Sequence, residues 1–245
     1  MANWSDPRAT AAPAATRGGV ADAAFDAGLR SYMLSIYNYM ASGVLLTGVV
    51  AMLFANSGLA FQILAGPGLL KYVIMLAPLA FILVLNFGIN RLSTFATQGL
   101  FWAFAVAMGL SMSSIFLVYT GTSIAQTFFA SAAAFAGLSL FGYTTKKDLS
   151  GWGSFLLMGV IGIIAAGLVN LFLQSTALQF AISVIGVLVF AGLTAYDTQR
   201  IKDGYFEVMN DATLAGKAAI MGALSLYLDF INMFTMLLQL FGNRE

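Results

Sequence analysis

Long apolar stretches follow one another along almost the whole chain, separated by short groups of turn-forming residues. About 20 apolar residues cross the roughly 30 Å hydrocarbon layer of a bilayer as a helix. We predict six such spans near 32–55, 70–89, 97–119, 123–143, 153–173 and 180–199, and a seventh near 218–241. Turn signals such as "AGPG" at 65–68 and "YTGTS" at 119–123 mark the breaks between them. The pattern predicts an all-α membrane protein with seven transmembrane helices.

The composition indicates that a bilayer, rather than water, surrounds this chain. Of its 245 residues, 60% are hydrophobic and 9% are charged, whereas soluble domains are about one quarter charged. The net charge of +1 provides no basic field to attract nucleic acid. The sequence contains no Cys and no His, which excludes disulfides, thiol chemistry, structural zinc and histidine proton relays. We expect no cofactor.

The first 30 residues differ from the rest because they are rich in Ala, Pro and Gly. They lack the apolar core of a secretory signal, so we predict a flexible tail over 1–30 and a single membrane domain over 31–245. Asp22, Asp26 and Arg30 recur every four residues, and a short helix there could line up against the membrane surface. The largest polar insertion after the tail is 200–217.

Lys and Arg residues are found in every second connection between the predicted spans. They occur in the tail, between spans two and three, between spans four and five, and between spans six and seven: Arg8, Arg17, Arg30, Arg91, Lys146, Lys147, Arg200, Lys202 and Lys217. The intervening connections near 56–69, 119–123 and 174–180 contain none. The positive-inside rule therefore predicts a cytoplasmic N-terminus. The C-terminus is outside if the seventh segment crosses fully, and inside if that segment re-enters.

Small residues recur at helix-contact spacing in three of the spans, where they would allow two backbones to approach closely. These residues are Ala105, Gly109 and Ser113 in span three, Ala133 and Gly137 in span four, and Gly162 and Ala166 in span five.

Asp229 is the most unusual residue of the seventh span, since a carboxylate at mid-bilayer costs about 2.5–3.5 kcal/mol on insertion scales. It lies in "ALSLYLDFINMF", about 16 Å along the helix from residue 218. Ser225, Asn232 and Gln239 fall within about 80° of it on the helix. This narrow polar stripe must face protein or water, and we predict that these three residues line a pore or contact a cation.

Asp197, in "GLTAYDTQRIK", is the second acidic residue within a span. Consecutive helices are usually neighbours, so Asp197 and Asp229 can meet, share one proton and titrate as a coupled pair. Arg91 ends span two on the same side, and we predict an Arg91–Asp197–Asp229 cluster. Alternatively, Arg91 is an ordinary positive-inside anchor, Asp197 caps a helix and Asp229 only reaches the interface.

These motifs resemble the Bax-inhibitor (TMBIM) family of membrane proteins, in its bacterial branch. The resemblance rests on "GLTAYDTQRIK" at 192–202, "ALSLYLDFINMF" at 223–234 and "YTTKKDLSGWGSFLLMGVIG" at 143–162, and extends from about Arg30 to Gly242. It implies six helices around a central seventh, in a pH-sensitive calcium leak channel of the bacterial inner membrane. It also implies that Asp197 and Asp229 form the proton-sharing pair and that Arg91 acts as a latch. Some relatives carry an acidic residue within span two, whereas 72–90 contains none here.

We therefore expect a gated cation pathway along the stripe of the seventh helix. Ionised Asp197, paired with Arg91, would hold the cytoplasmic end shut until a proton or a competing cation weakens the pair. Calcium takes six to eight oxygen ligands, and Asp197, Asp229 and Asn232 supply only part of that shell. Calcium, the transported ion, should therefore bind loosely to the two aspartates.

Three other functions are compatible with the sequence. Intramembrane aspartyl proteases also place two Asp on consecutive helices, but 226–229 reads Leu-Tyr-Leu-Asp instead of Gly-x-Gly-Asp, so we predict no enzyme. The tail could bind another membrane complex, such as a quality-control protease. A proton-coupled transporter would use the same carboxylates. The expected partners are the lipid bilayer, calcium ions and protons, and a membrane protein at the tail, with no nucleic acid.

Overall fold

A computed structural model of the chain describes residues 14–244, and their side chains from residue 24 onward. Its helices are α1 (Ala14–Asn56), α2 (Leu59–Leu64), α3 (Leu70–Gly88), α4 (Thr94–Met112), α5 (Gly121–Thr144), α6 (Gly153–Leu173), α7 (Thr176–Val208) and α8 (Ala212–Phe241). Seven of them, all except α2, are long and apolar enough to cross a membrane. The residues described contain no β-strand. The predicted fold class is confirmed.

Polar side chains at the predicted breaks begin several of these helices. The Ser93 hydroxyl accepts a hydrogen bond from the Ala96 amide at 3.2 Å. The Asp211 carboxylate accepts from two amides in the first turn of α8. Thr120 and Ser175 cap α5 and α7 in the same way. These caps satisfy amides that have no partner within the helix, which is why the apolar runs divide at these positions.

Helix α8 lies at the centre of the bundle. In its most apolar part 61% of the residues are buried, against 11–33% in the other six spans. Helices α1, α4, α5 and α7 pack directly against it, while α3 packs on α4 and α6 packs on α7. The Tyr227 ring is fully buried, and its hydroxyl shares a 2.7 Å hydrogen bond with that of Thr47 on α1. The predicted central seventh helix is therefore confirmed, with α3 and α6 in the outer layer.

Helices α1 and α7 extend furthest beyond the predicted spans, and their extensions pack together. The Phe25 and Tyr205 rings lie 5.5 Å apart, and those of Tyr32 and Tyr205 lie 5.2 Å apart. Because α7 continues to Val208, only 209–211 connect it to α8, which corrects the predicted polar connection over 200–217. The predicted tail is likewise helical from Ala14 onward. Residues 1–13 of that tail lie outside the described part of the chain.

Close approach between helices occurs at some of the predicted glycines and not at others. A Cβ added at Gly109 would lie 2.7 Å from Cβ of Val50, so α1 and α4 do meet there. A Cβ added at Gly137 or Gly162 would meet no atom within 4 Å, so the predicted contacts at those two residues are wrong. The sequence did not point to Gly142, where an added Cβ would overlap the Ala195 carbonyl oxygen of α7.

The two ends of α8 lie at opposite ends of the bundle. Near its start, Lys217 Nζ donates to the Ile89 carbonyl oxygen at 3.1 Å. Beyond its end, the Asn243 carbonyl accepts from the Thr120 amide at 3.0 Å, and the Asn243 amide donates to the Ser123 hydroxyl at 2.9 Å. The seventh segment therefore runs from one end of the bundle to the other. We call one end of the bundle the basic end; it contains the connections 89–93, 145–149 and 209–211. We call the other end the C-terminal end.

Candidate functional site

Asp197 and Asp229 line one cavity of about 650 Å³ between α6, α7 and α8. This carboxylate cavity is also lined by Ser225 and Asn232, the neighbours of Asp229 on the predicted polar stripe. The structure thus brings together both predicted carboxylates and two of the three predicted pore-lining residues. Small residues permit this approach, since an added Cβ at Gly222 would lie 3.3 Å from the Ile201 side chain of α7.

Asp229 is the deepest charged group of the site. The residue is 5% exposed, and its Oδ2 atom is buried without a hydrogen-bond partner in the structure described. The Asn232 amide group does not donate to this oxygen, because its nitrogen donates to the Leu228 carbonyl of the same helix at 2.8 Å. A buried, unsatisfied carboxylate oxygen is costly. The position therefore favours a proton, a cation or water at this atom.

Asp197 forms an ion pair with Arg200, which lies one turn later on α7. Arg200 Nη2 is 3.4 Å from Asp197 Oδ1, and the Arg200 side chain is 56% exposed whereas that of Asp197 is 11% exposed. The guanidinium also lies over the Tyr196 ring, 5.8 Å from its centre. The ion pair therefore joins a buried carboxylate to a cation that reaches the surface at the basic end.

A second cavity adjoins the first at this ion pair. It measures about 320 Å³ and is lined by Asp203 and Glu207. Tyr196 and Arg200 line both cavities, so these two side chains lie between them. The second cavity is called the acidic vestibule. Arg200 thus lines the same cavity as the two acidic residues.

The structure does not bring Arg91 to the carboxylates, which corrects the predicted Arg91–Asp197–Asp229 cluster. Arg91 is exposed in the turn after α3, and its amide donates to the Gly88 carbonyl oxygen at 2.8 Å. Helix α3 packs on α4, away from the carboxylate cavity. Among the described residues, Arg200 is the cation that pairs with Asp197. The signal for it was the i, i+3 spacing within "YDTQR".

Gln239, the third predicted pore-lining residue, lies in a hydrogen-bonded cluster near the C-terminal end. Its Oε1 atom accepts from Gln179 Nε2 at 2.7 Å and from the Ser183 hydroxyl at 2.9 Å. Asn170 Nδ2 in turn donates to Gln179 Oε1 at 3.1 Å. These bonds connect α6, α7 and α8. Met236, which lines the carboxylate cavity, lies one turn before Gln239 on α8.

The predicted calcium contact depends on few charged groups. Among residues 24–244, no three or more His, Cys, Asp or Glu side chains converge on a possible metal position. Asp197 and Asp229 are the acidic residues of the carboxylate cavity. Any further oxygen ligands there would come from uncharged side chains such as Ser225 and Asn232, from the backbone or from water.

Comparison with known proteins gives one family and several relatives of similar length. Residues 29–245 match the family described as "Inhibitor of apoptosis-promoting Bax1". The chain is 48% identical over 220 residues to "Inner membrane protein YbhL" of Escherichia coli K12, covering 89% of this chain and 94% of that protein. It is 49% identical over 236 residues to an uncharacterized protein of Caulobacter vibrioides, covering 92% of this chain and 94% of the relative.

Proposed function

This chain belongs to the Bax inhibitor family of membrane proteins, and we propose that it is a pH-sensitive leak channel for calcium in a bacterial inner membrane. The relative from Escherichia coli is named an inner membrane protein, which supports the location. The channel proposal rests on the Oδ2 atom of Asp229, which is buried without a hydrogen-bond partner in the structure described. A second carboxylate, that of Asp197, lines the same intramembrane cavity.

The carboxylate cavity provides the middle of the proposed pathway. Ions would pass along the stripe of α8, from the acidic vestibule past Asp197 and Asp229 toward Gln239. Two carboxylates supply only part of the six to eight oxygens that calcium takes. Binding would therefore be loose, which suits a pathway that releases the ion again.

The Asp197–Arg200 ion pair is the proposed gate at the basic end. Two carboxylates that line one cavity at low dielectric resist being ionised at the same time, so one of the pair would keep a proton. Further acidification would neutralise Asp197, release Arg200 toward Asp203 and Glu207, and join the two cavities. Flux should accordingly rise as the pH falls.

Gathering of the basic connections at one end supports a cytoplasmic gate. The topology collects Arg91, Lys146, Lys147 and Lys217 at the basic end, together with Arg200. By the positive-inside rule this end faces the cytoplasm. The gate would then respond to cytoplasmic pH, and the Gln239 cluster would restrict the opposite side of the pathway.

Calcium flux into liposomes tests the proposal, with the protein reconstituted and the pH varied from about 5 to 8. Wild type should leak more at low pH. Asp197→Asn should leak at every pH because Arg200 loses its partner charge. Asp229→Asn should stay low and lose the pH step, because Asp197 then lacks the second carboxylate that favours its protonation. Asp148→Asn changes an exposed aspartate between α5 and α6 and is the matched control. The proposed pH sensor would be refuted if Asp197→Asn and Asp229→Asn both followed the wild-type pH curve.

A further inference from the structure

A lateral groove of about 530 Å³ lies between α1 and α5, away from the carboxylate cavity. One wall contains Arg30, Leu34 and Tyr37 of α1, and the other contains Ala136, Ser139 and Leu140 of α5. It shares no lining residue with the carboxylate cavity. The lateral groove is therefore separate from the proposed leak pathway.

The edges of the lateral groove face the bilayer. Leu34 is 51% exposed and Leu140 is 63% exposed, one on each helix. The lining residues of α1 extend from Arg30 to Tyr37, which is about 10 Å along the helix axis. The groove is therefore an elongated apolar slot that begins near the basic end and opens sideways to lipid.

The hydroxyls of Tyr37 and Ser139 meet between the two walls and form the floor of the groove, where they are already hydrogen-bonded to protein. The hydroxyls of Tyr37 and Ser139 lie 2.7 Å apart, and that of Ser139 lies 3.0 Å from the Thr198 hydroxyl of α7. Thr198 donates in turn to the Thr194 carbonyl at 2.7 Å. Because these groups satisfy one another, the floor presents no strong demand for a polar ligand, and a hydrocarbon chain suits it.

Positive charge gathers where the groove meets the basic end. Arg30 lines the groove, is exposed and makes no ion pair with any residue that the structure describes. Lys202 Nζ donates to the carbonyl oxygen of Tyr143, another lining residue, at 3.0 Å and lies 5.7 Å from the centre of its ring. A guanidinium above an apolar slot is complementary to a molecule with an anionic head and a hydrocarbon tail.

We propose that the lateral groove binds an anionic phospholipid of the leaflet at the basic end. One acyl chain lies between α1 and α5 over the Tyr37–Ser139 floor, and the Arg30 guanidinium binds the phosphate. Lys202 adds positive charge at the same end without leaving its bond to Tyr143. The bound lipid would fill a gap between two helices that both pack against α8.

Lipid binding to the purified full-length protein tests this inference, with native mass spectrometry as the readout. The probes are phosphatidylglycerol and phosphatidylcholine with identical acyl chains. Wild type should prefer phosphatidylglycerol. Arg30→Gln should weaken phosphatidylglycerol binding by about fivefold and leave phosphatidylcholine unchanged, because it removes one charge at the headgroup. Ala136→Phe should weaken both lipids, because the ring fills the groove.

Matched variants control for general effects of charge and size. Arg91→Gln removes an exposed arginine at the same end, and Ala134→Phe enlarges an exposed alanine of α5 that does not line the groove. Both should bind lipid as wild type does. Equal binding of the two lipids by wild type would overturn the inference, as would Arg91→Gln losing as much phosphatidylglycerol as Arg30→Gln. Since Arg30 is exposed, its variant should fold even if Ala136→Phe does not.

Discussion

The guanidinium of Arg200 lies 3.4 Å from the carboxylate of Asp197, one turn away on the same helix. Because both residues belong to α7, this ion pair can break through side-chain rotation alone, without separation of two helices. The arginine is more than half exposed and borders the acidic vestibule, so Asp203 or Glu207 can receive it. The arrangement thus differs from a latch between two helices.

We expect Arg200→Gln to raise calcium flux at neutral pH, and Arg91→Gln to leave it unchanged. A half-exposed ion pair contributes about 1 kcal/mol or less, so the increase should be at most about fivefold. Flux into proteoliposomes at fixed pH measures it. An increase in Arg91→Gln with none in Arg200→Gln would instead restore Arg91 as the gate.

The Gln239 cluster should restrict the pathway without sensing pH. Gln239→Ala removes two hydrogen bonds that hold α7 and α8 together near the C-terminal end. We expect a higher flux at every pH, with the midpoint of the pH curve unchanged, because the carboxylates are untouched. Gln174→Ala changes an exposed glutamine just after α6 and serves as the control. A shifted midpoint in Gln239→Ala would contradict this separation of roles.

Gly142→Ala should destabilise the bundle, because its methyl group would overlap the Ala195 backbone where α5 meets α7. Overpacking of this kind costs about 1–3 kcal/mol. Thermal unfolding in detergent should show a lower midpoint for this variant. Gly137→Ala, on the same helix, adds the same methyl group in open space and should unfold like wild type. Equal midpoints for the two variants would mean that α5 and α7 are not so closely packed.

Asp148 should not contribute to pH sensing. It is exposed between α5 and α6, and hydrogen bonds from the side chain and amide of Ser150 hold the pKa of Asp148 below its ordinary value of 3.8. A lowered pKa stabilises the folded state at every pH above the ordinary pKa. This stabilisation is lost only as the pH falls through the lowered pKa, which lies below the range from about pH 5 to 8. We therefore expect Asp148→Asn to have the wild-type flux curve from about pH 5 to 8. A changed curve would indicate a sensor outside the carboxylate cavity.

Seven spans could be predicted because the bilayer imposes a minimum apolar length on each helix, and this length can be read residue by residue. Asp229 could be selected for a similar reason, since a lone carboxylate in an apolar run must find a polar environment. Its companion Asp197 followed from the usual adjacency of consecutive helices. The structure places both residues in one cavity.

The cation beside Asp197 could not be selected in this way. Arg91 and Arg200 both follow the positive-inside pattern, and their depth in the membrane is similar by sequence. The choice depends on helix packing, because α3 lies against α4 while Arg200 shares α7 with its partner. Gly137 and Gly142 illustrate the same limit, since both are glycines of α5 and only Gly142 meets another backbone.

The sequence by itself determined the number of spans, the polar stripe of α8 and the two acidic residues, because each reflects the transfer of a local segment from water to hydrocarbon. Only the tertiary structure decided that Arg91 lies away from Asp197, that α8 runs from one end of the bundle to the other and that α1 and α5 leave a groove between them. These features depend on distances between segments far apart in the chain, which the order of residues within one helix does not specify.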